Sequence, residues 1–307
     1  MSPAINGTAD LSWFGRRSNG NVFASAFLYG GMAVALVIFL VFFLAPMIYM
    51  LIESFKPPMM SGEADALTFE NYRSFVTDPL YQTILQRTLR VAALSSSLML
   101  LCGYPVAYLL RIVGPRTRSR LFFFVISPML VSVVVRTYGW VVILGKEGVL
   151  NSVLLAAGID NGFSRSTHLF NMTAVVIGVS HVFIPLMILA IYNSLQKVDF
   201  SLLKAAANLG APPYRVFFEV TLPLTLPGII AGLTTVFPLA MGSFITVAVL
   251  GGPAVWVVSM SAYQQATTLL NWQFAGAIGA ALLIAVTIIV GLFNFVMSHI
   301  VREQVRP

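Results

Sequence analysis

Long apolar runs separated by short polar joints set the pattern of this chain from about residue 26 to residue 300. A hydrocarbon layer about 30 Å thick is crossed by roughly 20 helical residues. Six runs reach that length, at 26–52, 88–110, 121–144, 172–192, 224–250 and 274–300. Apolar residues fill these runs continuously instead of recurring at amphipathic spacing, so lipid is part of the expected solvent. Arg16 and Arg17 precede the first run as they would in a secretory signal, but that run is too long for a signal core and reads as a retained helix. The predicted class is an all-α membrane protein with six transmembrane helices. A tail at 1–25 precedes the membrane domain at 26–300, and a second tail follows at 301–307.

Composition agrees, with 58% hydrophobic and 9% charged residues, far from the balance of soluble domains. The net charge of +7 would raise nucleic acid as a partner in a soluble protein. Here the cations fall in the joints, and no nucleic-acid role is expected. Lys and Arg collect on the cytoplasmic side of short loops. With both termini inside, that side receives Arg16, Arg17, Arg111, Arg116, Arg118, Arg120, Lys197, Lys204, Arg215, Arg302 and Arg306. The outer loops hold mainly Lys56, Arg73, Arg87, Lys146 and Arg165, together with Glu53, Glu63, Asp65, Glu70, Asp78, Glu147 and Asp160. Both termini are therefore expected in the cytoplasm. Pro46, Pro105, Pro128, Pro185 and Pro238 fall inside the first five runs. Each removes a backbone donor, so some of these helices should kink around a cavity.

The joint between the fourth and fifth runs, 199–223, is amphipathic and longer than a simple connection requires. Asp199 or Ser201 can cap a helix, the three alanines 205–207 favour one, and Gly210 supplies a left-handed stop. Pro212 and Pro213 suit the first turn of a second helix, expected to end near Thr221 before Pro223 and Pro227 enter the membrane. The predicted product is a helical elbow.

On these residues the chain resembles the inner-membrane permeases of binding-protein-dependent ABC importers. Their signature is Glu-Ala-Ala, three residues, Gly, nine residues, then Ile-x-Leu-Pro; Lys204, Ala205, Ala206, Gly210, Val220, Leu222 and Pro223 stand at that spacing. Leu67-Thr-Phe-Glu-Asn-Tyr72, Arg136-Thr-Tyr-Gly-Trp140, Gly148-Val-Leu-Asn151 and Leu250-Gly-Gly-Pro253 are similar to the spermidine/putrescine permease group. The resemblance implies the type I ABC importer permease fold in a bacterial inner membrane, with 199–223 as a cytoplasmic coupling helix that docks on an ATPase. It also implies a second permease subunit, paralogue or identical copy, two ATPase subunits and a periplasmic substrate-binding protein. ATP and Mg would be bound on the partner ATPase and no cofactor on this chain, which lacks a GxxxxGK[ST] loop. Lys204 stands where the family usually has glutamate, so its contact would need an acidic partner.

Candidate pathway residues follow from cost and position. Arg136 is an ionisable residue within an apolar run, which defaults to function, though snorkelling near a membrane face would also hold it. Tyr138 and Trp140 share its motif, and Ser243, Phe244 and Thr246 follow Pro238 in a small-residue segment. Trp256, Tyr263 and Trp272 could stack on an organic cation or form an interfacial belt. None of the six runs contains an acid, so no buried site for a polycation is evident. A polyamine, an opine, an amino-acid-like or a phosphonate-like solute therefore all remain open as cargo. An ion-coupled secondary transporter should show coupling-ion ligands or inverted repeats, and neither is apparent. His168, His181 and His299 are too scattered for an enzyme's metal site, and Cys102 has no second thiol to pair with.

Overall fold

The computed structural model describes residues 18–57, 67–159 and 166–304. Arg16, Arg17, Glu63, Asp65, Asp160, Arg165, Arg306 and most of the tail at 1–25 lie outside the described residues. The chain divides into two units, Met1–Glu53 and Ser54–Pro307. In the first, α1 (Ser18–Phe39) passes through a π turn at Leu40–Leu44 into α2 (Ala45–Glu53). Ala45 N–H reaches back to the Leu40 carbonyl. Widening the turn there relieves the clash that Pro46 brings to the preceding turn, so the predicted kink is absorbed as a π turn.

In the second unit α3 (Glu70–Thr77) precedes the long α4 (Pro79–Ile112), which Asp78 caps by accepting the Leu80 N–H at 2.8 Å. The helix thus begins well before residue 88, and Arg87 lies on α4, not in a loop. The segment predicted as one helix at 121–144 is not one. It consists of α5 (Pro115–Ile126), a 3-10 turn at Ser127–Leu130, extended backbone at 131–132 and α6 (Val133–Leu144). Pro128 lies in the 3-10 turn, where continuing an α-helix would require the donor it lacks. Next come α7 (Val149–Ala156), α8 (Met172–Leu195) and α9 (Phe200–Asn208).

The chain then enters α10 (Pro213–Arg215) and, through a π turn at Val216–Thr221, α11 (Leu222–Met241). The fifth predicted run also breaks. After residues 242–244, α12 (Ile245–Gly251) and a 3-10 turn at Gly252–Ala254 meet α13 (Val258–Thr267) at 94°. The last helix, α14, spans Trp272–Gln304. Among the described residues six helical stretches are long and apolar enough to cross a membrane, or seven if the bent 245–267 pair counts as one span.

At the centre of the second unit α4, α8 and α11 pack on one another. The half nearer α9 is filled by Met99, Leu110, Met187, Ile191 and Val236, and the other half by Val91, Val179, Met241, Val247 and Leu250. Close approach depends on small residues, the usual means of helix association in lipid. A Cβ on Gly228 of α11 would lie 2.3 Å from Ser194 Cβ and 2.9 Å from the Ala190 carbonyl oxygen, both on α8. Away from α9, Asn71 Nδ2 donates to the carbonyls of Ser54 (2.9 Å) and Lys56 (2.8 Å), and Tyr72 hydrogen-bonds the Ser54 hydroxyl. The Leu67–Tyr72 motif thereby pins α3 to the segment before it.

Candidate functional site

The elbow is built from local rules. Asp199 Oδ1 accepts the Ser201 N–H at 2.8 Å, capping α9. That bond, with a lesser one from the Ser201 hydroxyl, holds the carboxyl below its usual pKa, so the cap stays charged through the neutral range and is lost only in acid. At the other end Gly210 has φ +84°, its N–H bonds the Ala207 carbonyl (3.0 Å), and Ala211 N–H bonds the Ala206 carbonyl (3.2 Å). This pair of bonds is the Schellman stop. Nothing lies within 4 Å of where a Gly210 Cβ would be, so glycine is required there by its backbone angle and not by space.

Beyond Gly210 the structure departs from expectation. The second helix does not stop at Thr221; it continues through the π turn, where Leu222 N–H reaches the Phe217 carbonyl, into α11. Pro223 sits in the first turn of α11, so the wide turn before it accommodates a residue without a donor. Phe217 packs edge-on against Tyr104 of α4 (centroids 5.4 Å), whose hydroxyl hydrogen-bonds Thr225 at 2.9 Å. The chain leaving the elbow is therefore in contact with α4 and continuous with α11. Lys204, Ala205 and Gly210 are exposed and Ala206 half-buried, while Leu209 at the tip is 89% exposed.

Sequence reasoning missed Phe217, Tyr104 and Thr225, although a tyrosine within an apolar helix signals a buried hydroxyl seeking a partner. Tyr104→Phe removes one buried hydrogen bond while Thr225 keeps its backbone carbonyl acceptors, Thr221 and Leu222. It should lower thermal stability in detergent by about 1 kcal/mol. Arg118 was read only as a topology charge; its Nε donates to the Leu110 carbonyl at 2.9 Å and closes the end of α4.

The predicted pathway residues lie on α6 and at the break that leads into α12. Arg136 Nη1 donates to the Val182 carbonyl of α8 at 3.4 Å, and Trp140 stands edge-on to His181 with centroids 5.7 Å apart. Val182 lies near the middle of α8, and Arg136 itself is half-buried. Thr137 and Thr246 hydroxyls meet at 3.2 Å, joining α6 to α12. The Ser243 carbonyl accepts from Ser259 Oγ (3.1 Å), and Phe244 stacks on Tyr263 with centroids 4.6 Å apart. Tyr138 is 57% exposed and takes part in none of these contacts.

Trp256 donates to Ser261 at 2.9 Å, while Trp272 stands exposed, so the three candidate aromatics do not form one cage. Asn151 Nδ2 ties the carbonyls of Lys146 and Ser166, both at 2.8 Å, which gives the Gly148–Asn151 motif a loop-clamping role. Among the described residues no cluster of metal-ligating side chains occurs.

Residues 99–305 match the family described as "Binding-protein-dependent transport system inner membrane component". The chain is 37% identical over 231 residues to the spermidine/putrescine transport system permease protein PotB of Haemophilus influenzae, covering 75% of this chain and 78% of that one. The PotB of Escherichia coli is 34% identical over 229 residues, covering 75% and 81%. In fold this chain is similar to a chain of a bacterial ABC transporter involved in the import of the acidic polysaccharide alginate. That match has a TM-score of 0.72 at 20% identity, over 95% of this chain and 100% of the other.

Proposed function

As a member of the binding-protein-dependent transport system inner membrane components, the chain is a multi-pass permease subunit of an ABC importer, and we propose that its α9 elbow is the lever by which a partner ATPase moves the membrane helices. It is a transport subunit and not an enzyme, and membership of this family sets aside the ion-coupled secondary carrier. The single observation that carries the lever is the exposed α9 tip, locked by Gly210 and continuous through Phe217 with α4 and α11.

In this reading both termini and the elbow are cytoplasmic. The elbow and that of a second permease each seat on one of two ATPase subunits, which bind ATP and Mg. Closure of the ATPase pair swings α9, and α11 and α4 follow, so the bundle opens alternately to either side. A periplasmic binding protein delivers the cargo at the far end. The cargo is a small amine-bearing organic solute of the polyamine, opine or amino-acid-like kind, a reading supported by relatives named for spermidine and putrescine.

The test uses Leu209→Cys in a Cys102→Ser background, since Cys102 is an exposed thiol. The thiol introduced by Leu209→Cys should cross-link to the co-expressed ATPase and should resist membrane-impermeant maleimide applied to intact cells. Labelling from outside would overturn the orientation, and cross-linking to the periplasmic binding protein would overturn the lever.

A further inference from the structure

Resting on the orientation given above, we propose that α5 holds an anionic phospholipid of the cytoplasmic leaflet, its phosphate between Arg116 and Arg120 and its acyl chains along Phe123 and Phe124. The helix has two faces. Residues 118, 121, 122 and 125 are half-buried, whereas 116, 120, 123 and 124 are exposed. At about 100° per residue each set falls within one arc, and the two arcs lie on opposite sides of the helix. On the inner side Arg118 donates to the carbonyls of Leu110 (2.9 Å) and Val113 (3.1 Å), and Phe122 packs edge-on against Tyr192 of α8 with centroids 5.8 Å apart. The outer side has no such partners. Among the described residues neither Arg116 nor Arg120 has a hydrogen bond or ion pair, and Phe123 and Phe124 meet each other while staying 66% and 70% exposed.

The chain's own acids do not supply the missing charge. No Asp or Glu occurs between Asp78 and Glu147, Asp199 caps α9, and Glu219 lies 4.0 Å from Arg215. Topology alone asks only for cations somewhere in the joint. It does not account for two of them one turn apart on the face that continues into two exposed aromatic rings. Cation first and aromatic a turn deeper is the profile of the boundary between headgroups and acyl chains. The start of α5 stands at such a boundary, because it follows the end of α4, and Arg111 Nε donates to the Leu195 carbonyl (3.1 Å) where α8 runs out toward the elbow. A phosphate accepts from both guanidiniums. A zwitterionic headgroup would bring its own ammonium to them, so the acidic headgroup is preferred.

The experiment presents the assembled importer, in detergent, with phosphatidylglycerol or phosphatidylcholine of equal chain length and counts the retained lipid by native mass spectrometry. The wild type should hold the anionic lipid about twentyfold more tightly, since each cation near an anionic headgroup contributes about fivefold. Arg120→Gln should cut that preference to about fivefold, and Arg116→Gln combined with Arg120→Gln should remove it. Lysine at both positions should keep most of it. Phe123→Ala with Phe124→Ala should weaken retention of both lipids alike.

Equal retention of the two lipids by the wild type would overturn the proposal. So would a preference unchanged by Arg120→Gln, a side chain with no partner to lose, which serves if the double variant does not assemble. Millimolar inorganic phosphate should leave the lipid in place; displacement would assign the face to a soluble anion and overturn the lipid. Labelling of Leu209→Cys from outside the cell would overturn the leaflet and the orientation, separately from the lipid preference.

Discussion

Gly210→Val should lower receptor-stimulated ATP hydrolysis and uptake by the assembled importer about tenfold or more, while the membrane bundle still folds. Gly210 lies outside the core and a Cβ there meets nothing, so neither packing nor burial is disturbed. What changes is the backbone: φ +84° is open to glycine and costs other L-residues about 1–2 kcal/mol, most of all β-branched ones. Relief comes from opening the Schellman stop, after which α9 no longer leaves the membrane helices at a fixed angle. Because asparagine visits the left-handed region readily, Gly210→Asn should retain most of the coupling and Gly210→Ala should fall between. The comparison is read by ATP hydrolysis in reconstituted complexes. Valine behaving like the wild type, or asparagine failing as badly as valine, would show that the turn does not transmit force.

The second large effect falls on stability. Gly228→Ala should destabilise the bundle by about 1–3 kcal/mol, the range for overpacking a tight contact. The added methyl would have to displace Ser194 Cβ at 2.3 Å and the Ala190 carbonyl at 2.9 Å, and neither can swing away without moving the α8 backbone. Gly232→Ala, one turn further along α11, is the control. Its nearest atom is the Met187 sulfur at 2.5 Å, the end of a flexible thioether that can change rotamer, so its cost should be smaller. Thermal unfolding of the two variants in one detergent orders them. If Gly232→Ala proves the more damaging, the α8–α11 contact is not set by backbone approach at residue 228.

Much of this organisation is legible along the chain because lipid imposes a simple rule. A helix in hydrocarbon must be long and apolar, and the runs at 26–52, 172–192 and 274–300 coincide closely with spans at Tyr29–Glu53, Met172–Leu195 and Trp272–Phe295. The elbow is legible for a different reason. Its cap, its alanines and its glycine act through bonds between residues a few positions apart, and Asp199 to Ala211 form the stop without help from the bundle.

The two failures lie where apolar composition is uninformative. Runs 121–144 and 224–250 are mostly apolar along their length, yet each is broken inside. Proline does not by itself mark such a break, since Pro105 and Pro185 sit within continuous helices whereas Pro128 lies in one of the breaks. The difference depends on whether neighbouring groups meet the backbone left unpaired. Ser259 does so for the Ser243 carbonyl from a residue far along the chain.

The sequence by itself determined that this is a helical membrane protein and where its elbow bends, because both follow from local composition and short-range bonding. Only the tertiary structure decided which helices break, that Phe217 and Tyr104 link the elbow to α4, and that Arg136 reaches the Val182 carbonyl of α8. Those features arise where distant segments satisfy, or leave unsatisfied, one another's polar groups.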